Sequence, residues 1–151
     1  MRRTLTTYGA AILILASSAF AHCQVPCGIY DDDARLDAVE EHITTIEKAI
    51  TQIESLSDND HPNFNQIIRW TNAKDDHADG IAEIVSWYFL QQRVKPVASG
   101  DADAHKAYLT KLTLLHEILV YSMKAKQSTD LANVEKLKTL LADFREAYSG
   151  K

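Results

Sequence analysis

Residues 36–53 read LDAVEEHITTIEKAITQI, and Leu36, Val39, Ile43, Ile46, Ile50 and Ile53 are spaced by 3, 4, 3, 4 and 3 positions. That spacing puts all six side chains on one stripe of a helix, the seam of a bundle helix rather than a strand. Asp31-Asp32-Asp33 precedes it and supplies a cap whose negative charge suits the positive end of the helix. Ser57-Asp58-Asn59-Asp60-His61-Pro62 follows it and reads as a break.

Moving downstream, the same periodicity returns three times. A second helix is predicted from about Asn63 to Val94, with Ile67, Ile68, Ile81, Ile84, Val85 and Tyr88 inward. Gly80 weakens its middle, since glycine costs a helix about 1 kcal/mol relative to alanine. Pro96 and Ser99-Gly100-Asp101 end it. A third helix carries Tyr108, Leu112, Leu115, Ile118, Leu119 and Val120. After a break at Ser128-Thr129-Asp130, a fourth carries Leu131, Val134, Leu137, Leu140, Leu141 and Phe144. Four amphipathic helices with short connections predict an all-α fold, an antiparallel up-down four-helix bundle over 31–151. A di-iron bundle would need inward Glu-x-x-His pairs. The nearest spacing here, Asp58 to His61, falls in a predicted loop, which excludes that chemistry.

Upstream of the bundle the chain changes character. Met1-Arg2-Arg3 is basic, Tyr8 to Phe20 is almost wholly apolar or small, and Ala19-Phe20-Ala21 has small residues where a signal peptidase reads. Residues 1–21 are therefore expected to be a secretory signal peptide, cleaved between Ala21 and His22; an uncleaved anchor is the alternative. Cys23 follows His22, which does not fit a lipoprotein signal, and Arg2-Arg3 leaves both the general and the twin-arginine routes open. The expected location is outside the cytoplasm: periplasm, lumen or extracellular space. Without the two leader arginines the chain keeps 14 basic residues against 21 acidic ones, a formal charge of −7. Such a surface repels nucleic acid, and after processing no stable membrane association is expected.

Between leader and bundle lies His22-Cys23-Gln24-Val25-Pro26-Cys27-Gly28-Ile29-Tyr30, which holds both cysteines of the chain. Cleavage would free the His22 amine. That amine, the Cys23 amide nitrogen and the Cys23 and Cys27 thiolates make two nitrogen and two sulfur donors able to share a plane, with the His22 imidazole available above it. Planar donors of this kind suit Ni(II) or Cu(II), whereas zinc and iron–sulfur centres prefer tetrahedral surroundings. Pro26 restricts the chain between the cysteines and Gly28 permits a tight return. A plain Cys23–Cys27 disulfide in an exported helical binding module is the competing reading. A copper protein is another, although two neighbouring thiolates would tend to reduce Cu(II).

The stretch resembles the N-terminal hook of the nickel superoxide dismutases, His-Cys-x-x-Pro-Cys-Gly-x-Tyr. His22, Cys23, Pro26, Cys27, Gly28 and Tyr30 all match. The resemblance implies a small four-helix bundle over 22–151, assembled as a homohexamer, with one nickel ion per subunit. It implies that superoxide is converted to oxygen and hydrogen peroxide as nickel alternates between its trivalent and divalent states. By the same resemblance His22 supplies its amine and an axial imidazole, Cys23 its backbone nitrogen and thiolate, and Cys27 the second thiolate. Tyr30 holds the hook and screens access. An acid early in the first helix steadies the axial imidazole, and Asp37 stands there. An arginine on the second helix meets that acid in familiar members; His77 stands in its place, with Arg69 and Lys74 as neighbours. Gln24 stands where many members have Asp, at a position that ligates nothing. Maturation would require signal peptidase and a nickel delivery route.

Taken alone, other residues read more plainly. Tyr30 reads as a packing tyrosine and Asp37 as a solvated acid at a helix start. His42, His61, His77, His105 and His116 are scattered and read as surface or edge. Trp70 and Trp87 read as core or subunit interface.

Overall fold

The stripe from Leu36 to Ile53 lies on one continuous helix, α1 (Asp32–Ser57), and all six of its predicted residues are buried. The computed structural model describes residues 31–150. Asp31 caps α1, its Oδ1 accepting the Asp33 amide at 3.0 Å. Its φ of 79° is uncommon outside glycine, so the chain turns sharply as it enters the bundle. Three further helices follow: α2 (Phe64–Glu83), continued by a π-helical segment over Ile84–Arg93, then α3 (Ala102–Gln127) and α4 (Leu131–Ser149). Asn63, Asp101 and Asp130 cap the starts of α2, α3 and α4 with their side-chain oxygens. No helix among the described residues is long and apolar enough to cross a membrane.

Each helix packs on the next, and α4 closes the ring against α1. The start of α1 meets the ends of both the second helix and α4, where Arg93 and Tyr148 reach Asp32. That is an up-down-up-down arrangement, as the short connections require. The core runs along the axis as one cluster that includes Ile43, Ile46, Ile50, Ile81, Leu115, Ile118, Leu137 and Phe144.

The second helix departs from the sequence reading in three places. Its inward stripe begins with Lys74, Ala78 and Ile81, while Ile68 is 59% exposed and Ile67 only half buried. Lys74 is 3% exposed, yet its ammonium is satisfied. It donates to the carbonyls of Ala125 and Lys126 at 2.8 and 2.6 Å and to Asp75 at 2.8 Å. It thereby serves the carbonyls left unpaired at the end of α3.

The second departure is Gly80. A Cβ there would lie 2.6 Å from the His42 ring, so the missing side chain is what lets α1 bring that ring against α2. The third is the π-helical segment. Wider turns, closed by bonds such as Val94 N–H to Phe89 O at 2.8 Å, slip the register. Two consecutive residues, Tyr88 and Phe89, then both face the core, while Trp87 is left 49% exposed. Phe89 stands edge-on to Tyr88, Phe144 and Tyr148, an aromatic cluster at the end of the bundle where α1 begins.

Candidate functional site

His22, Cys23, Cys27 and Tyr30, the residues expected to form the hook, lie outside the described residues, and so do residues 1–21, where a leader is expected. The bundle residues that receive the chain after Tyr30 are described. Asp32, two positions beyond Tyr30, gathers donors from two other helices. Its Oδ1 accepts from the Tyr88 hydroxyl at 2.5 Å and from Arg93 Nε at 2.7 Å, with Arg93 Nη2 at 2.6 Å. Its Oδ2 accepts from the Tyr148 hydroxyl at 2.7 Å. The Arg93 guanidinium also stands 5.4 Å above the Tyr88 ring.

This set of contacts polarises every member. Partial burial pushes the Asp32 carboxyl up, but the hydrogen bonds from Tyr88, Tyr148 and Arg93 and the Arg93 charge together hold it below the usual carboxylate range. Burial, followed by the hydrogen bond to Asp32, pushes the Tyr148 phenol up to about 12. Burial and Asp32 push the Tyr88 phenol up as well. Both phenols are therefore donors at neutral pH. The start of α1, where the hook joins the bundle, is tied by charge-assisted bonds to the π-helical segment and to the end of α4.

Asp37 lies one and a half turns further along α1. It is mostly exposed, and its Oδ1 accepts from Arg145 of α4 at 2.8 Å. Arg145 also reaches Glu40 at 3.0 Å. His77 does not meet Asp37. It faces His42, with the two Nδ1 atoms 2.8 Å apart and the rings edge-on. Helical phase explains the choice. Five positions separate Asp37 from His42, a rotation of about 140° at 3.6 residues per turn, so one faces α4 and the other α2. Arg69 is exposed, and Lys74 is committed to α3.

The His42–His77 pair is the one meeting of histidines among the described residues, where the sequence showed them only as scattered. A hydrogen bond between two Nδ1 atoms needs one ring to donate and the other to accept. Burial, then the proximity of His77, lowers the His42 pKa, and Glu41 opposes this weakly. A ring depressed in the fold binds fewer protons there than in the unfolded chain. Its stabilising share is complete above the unfolded value of 6.5 and is lost as pH falls through the lower folded value. Thermal unfolding from neutral pH to about pH 5 is expected to show a larger loss of stability in the unaltered protein than in His42→Gln, which keeps a hydrogen-bonding side chain but cannot titrate. Equal losses would remove His42 from the account.

No group of three or more His, Cys, Asp or Glu side chains among the described residues could hold a metal ion. The only cysteines in the chain are Cys23 and Cys27. Two thiolates beside backbone nitrogens, one of them an amine if the chain begins at His22, would make a donor set that fits nickel, by softness and by planar preference. Comparison with the curated proteins gives no match, and neither does comparison with solved structures. The family model described as nickel-containing superoxide dismutase does match, over residues 17–151, a span that takes in the hook residues and all four helices. The chain therefore belongs to the nickel-containing superoxide dismutases.

Proposed function

We propose that residues His22–Tyr30 form the catalytic centre of this superoxide dismutase. Nickel would be held by the His22 amine and imidazole, the Cys23 amide nitrogen and the Cys23 and Cys27 thiolates. The observation that carries the reading is a family match spanning the one stretch of the chain that contains thiols. Nickel bound there supplies a one-electron couple between its trivalent and divalent states, so that two superoxide ions and two protons yield oxygen and hydrogen peroxide. The chain's own groups do the rest. Two thiolates and an anionic amide donate charge to the metal strongly enough to suit that couple to water. The Tyr30 hydroxyl would screen access to the nickel and would be a proton source beside it. Asp37 has one carboxylate oxygen on Arg145, and its other oxygen has no partner among the described residues. It is the acid assigned to the His22 ring, as carboxylates commonly orient ligating histidines. The supporting cation would then be Arg145 of α4, and His77 would serve the α1–α2 contact.

The His22 amine exists only after cleavage, so signal peptidase, export and nickel delivery would precede activity. The large apolar side chains left exposed, among them Phe64, Ile68, Trp87 and Met123, offer surface for the homohexamer that the family resemblance implies.

The test compares chains that begin at His22 with chains that carry one added alanine before it. The first is expected to hold stoichiometric nickel and to remove superoxide. The second, whose His22 nitrogen is an amide, is expected to lose activity by more than the roughly 10- to 100-fold typical of changes that only disturb a ligand's orientation. A full-length chain carrying stoichiometric nickel in the same square-planar site would refute the dependence on processing. Protein that begins at His22 but takes up no nickel after reduction, with no activity, would refute the centre itself.

A further inference from the structure

We infer that the pocket beside the hook's point of attachment, lined by Arg93, Lys95 and Lys111, gathers the superoxide anion for the reaction. This rests on the reading above.

The chain is acidic overall, and its formal charge without the leader is −7. At long range such a field repels an anionic substrate, so any attraction has to be local. The pocket has a volume of about 280 Å³ and lies between the end of the second helix, the connection that follows and α3. Three of its lining residues are cations, and none carries a carboxylate. Its walls include Val94, Val97, Tyr108 and Tyr148, and apolar and aromatic walls of this kind concentrate the field of the charges they surround. Arg93 is bound to Asp32, but Lys95 and Lys111 form no ion pair among the described residues. The Lys111 ammonium stands 5.7 Å over the Tyr148 ring, a contact that holds it in place without neutralising it. Asp101, the cap of α3, and Asp103 in its first turn do not line the pocket; one oxygen of Asp101 is occupied by the Ala104 amide.

Another pocket of similar size shows the contrast. It lies between α1 and α4, measures about 260 Å³ and also has two cations in its lining. There each cation is cancelled twice over, Lys138 by Glu47 and Glu135, Arg145 by Asp37 and Glu40. Of the two, only the first presents uncancelled positive charge.

Its position suits the role. Arg93 and Tyr148 line it, and both bind Asp32. Cys27 is five residues from Asp32, and a chain of five residues spans at most about 18 Å. The thiolate donor nearest the bundle in sequence is therefore tethered within that reach of the residue that Arg93 and Tyr148 bind.

The experiment measures superoxide decay by pulse radiolysis on nickel-loaded protein that begins at His22, across ionic strengths. The rate is expected to fall as salt rises. In Lys95→Glu/Lys111→Glu it is expected to be about tenfold lower at low salt and within about twofold of the unaltered protein near 0.5 M salt, where charges are screened over a few ångströms. Lys48→Glu/Lys124→Glu makes the same change in net charge elsewhere and is expected to behave like the unaltered protein. Equal losses in both double variants, or no salt dependence, would overturn the inference. A second readout does not need activity. Azide, a small univalent anion, is titrated into metal-free protein and followed by amide chemical shifts. Changes are expected at residues 93–95, 97, 104–111 and 148 and should vanish in Lys95→Glu/Lys111→Glu; changes spread evenly over the surface would overturn the inference. Absence of nickel and of activity in the unaltered protein, with the azide response intact, would instead count against the proposed centre.

Discussion

Asp32→Ala is expected to destabilise the bundle by about 1.5–3 kcal/mol, the range for losing hydrogen bonds to a charged group. The carboxylate receives Tyr88, Tyr148 and the Arg93 fork. Removing it strands two phenols and a guanidinium at the end of the bundle. Water reaches this site, since the Asp32 and Arg93 side chains are 25% and 29% exposed, so the larger penalty of a fully buried broken pair does not apply. Asp32→Asn keeps the shape, gives up the charge and should fall between. The pH dependence has a definite sign. The folded carboxyl sits below its unfolded value of 3.8, so its stabilisation is present above that value and is lost as pH falls through the folded one. A second consequence separates a structural anchor from a support for the metal site. Asp32 fixes the residue at which the chain leaves Tyr30, so nickel affinity in the variant is expected to fall by roughly 10- to 100-fold, as for groups that orient ligands. A lowered unfolding midpoint with unchanged nickel affinity would confine Asp32 to the bundle. An unchanged midpoint would contradict the account of both.

The bundle was legible because most of its information is local. The α1 stripe is a pure 3–4 repeat, and every residue it names is buried. The α4 stripe holds from Val134 to Phe144, while Leu131 at its start is exposed. Errors cluster in the second helix, where local periodicity was overruled from outside. Ile68 looks like a core residue but is exposed, and Lys74, a charged residue, takes an inward place because α3 offers it carbonyls 51 and 52 positions away. Phe89 was missed because the stripe was read at α-helical spacing through Ile84, Val85 and Tyr88, and the π-helical turns slip that register. Gly80 read as a weakness in the helix, since its neighbour His42 lies on another element.

The same division holds for the site. The proposed donor set is contiguous and its pattern falls within nine residues, so it is open to reading without a fold. The Asp32 cluster could not. Its partners stand 56, 61 and 116 positions away, and Asp32 reads locally as one more acid at a helix start. One signal was available: Tyr148 continues the α4 stripe one turn beyond Phe144, at the end where α1 must begin in an up-down bundle. The pairing of Asp37 with Arg145 rather than with a residue of the second helix was likewise set by helical phase, which only the packed bundle reveals.

Cys23→Ser and Cys27→Ser are each expected to weaken nickel binding strongly and to bring superoxide removal to background, while leaving helix content and thermal unfolding unchanged. A serine hydroxyl stays protonated at neutral pH, so the substitution exchanges a soft anionic donor for a hard neutral one. On the proposed centre, nickel(II) would lose one of its four donors, and the trivalent state would lose the charge donation that brings it within reach. Stability should not follow, because the bundle core is built from helices that contain neither cysteine. The rival reading, in which the two sulfurs merely close a disulfide, expects the reverse pattern. Either substitution, or simple reduction, would then open a loop of about five residues and cost the fold up to about 2 kcal/mol by loop entropy, with no change in metal content because there was none. The two readings thus differ in which measurement moves. Nickel and activity lost at constant stability identify a metal centre, and stability lost without any metal signal identifies a staple. Measuring the single variants as well as the double gives a further separation. In a disulfide, loss of the second cysteine adds nothing to loss of the first. In a metal centre each thiolate is a separate donor, so residual nickel affinity in either single variant should fall again in the double.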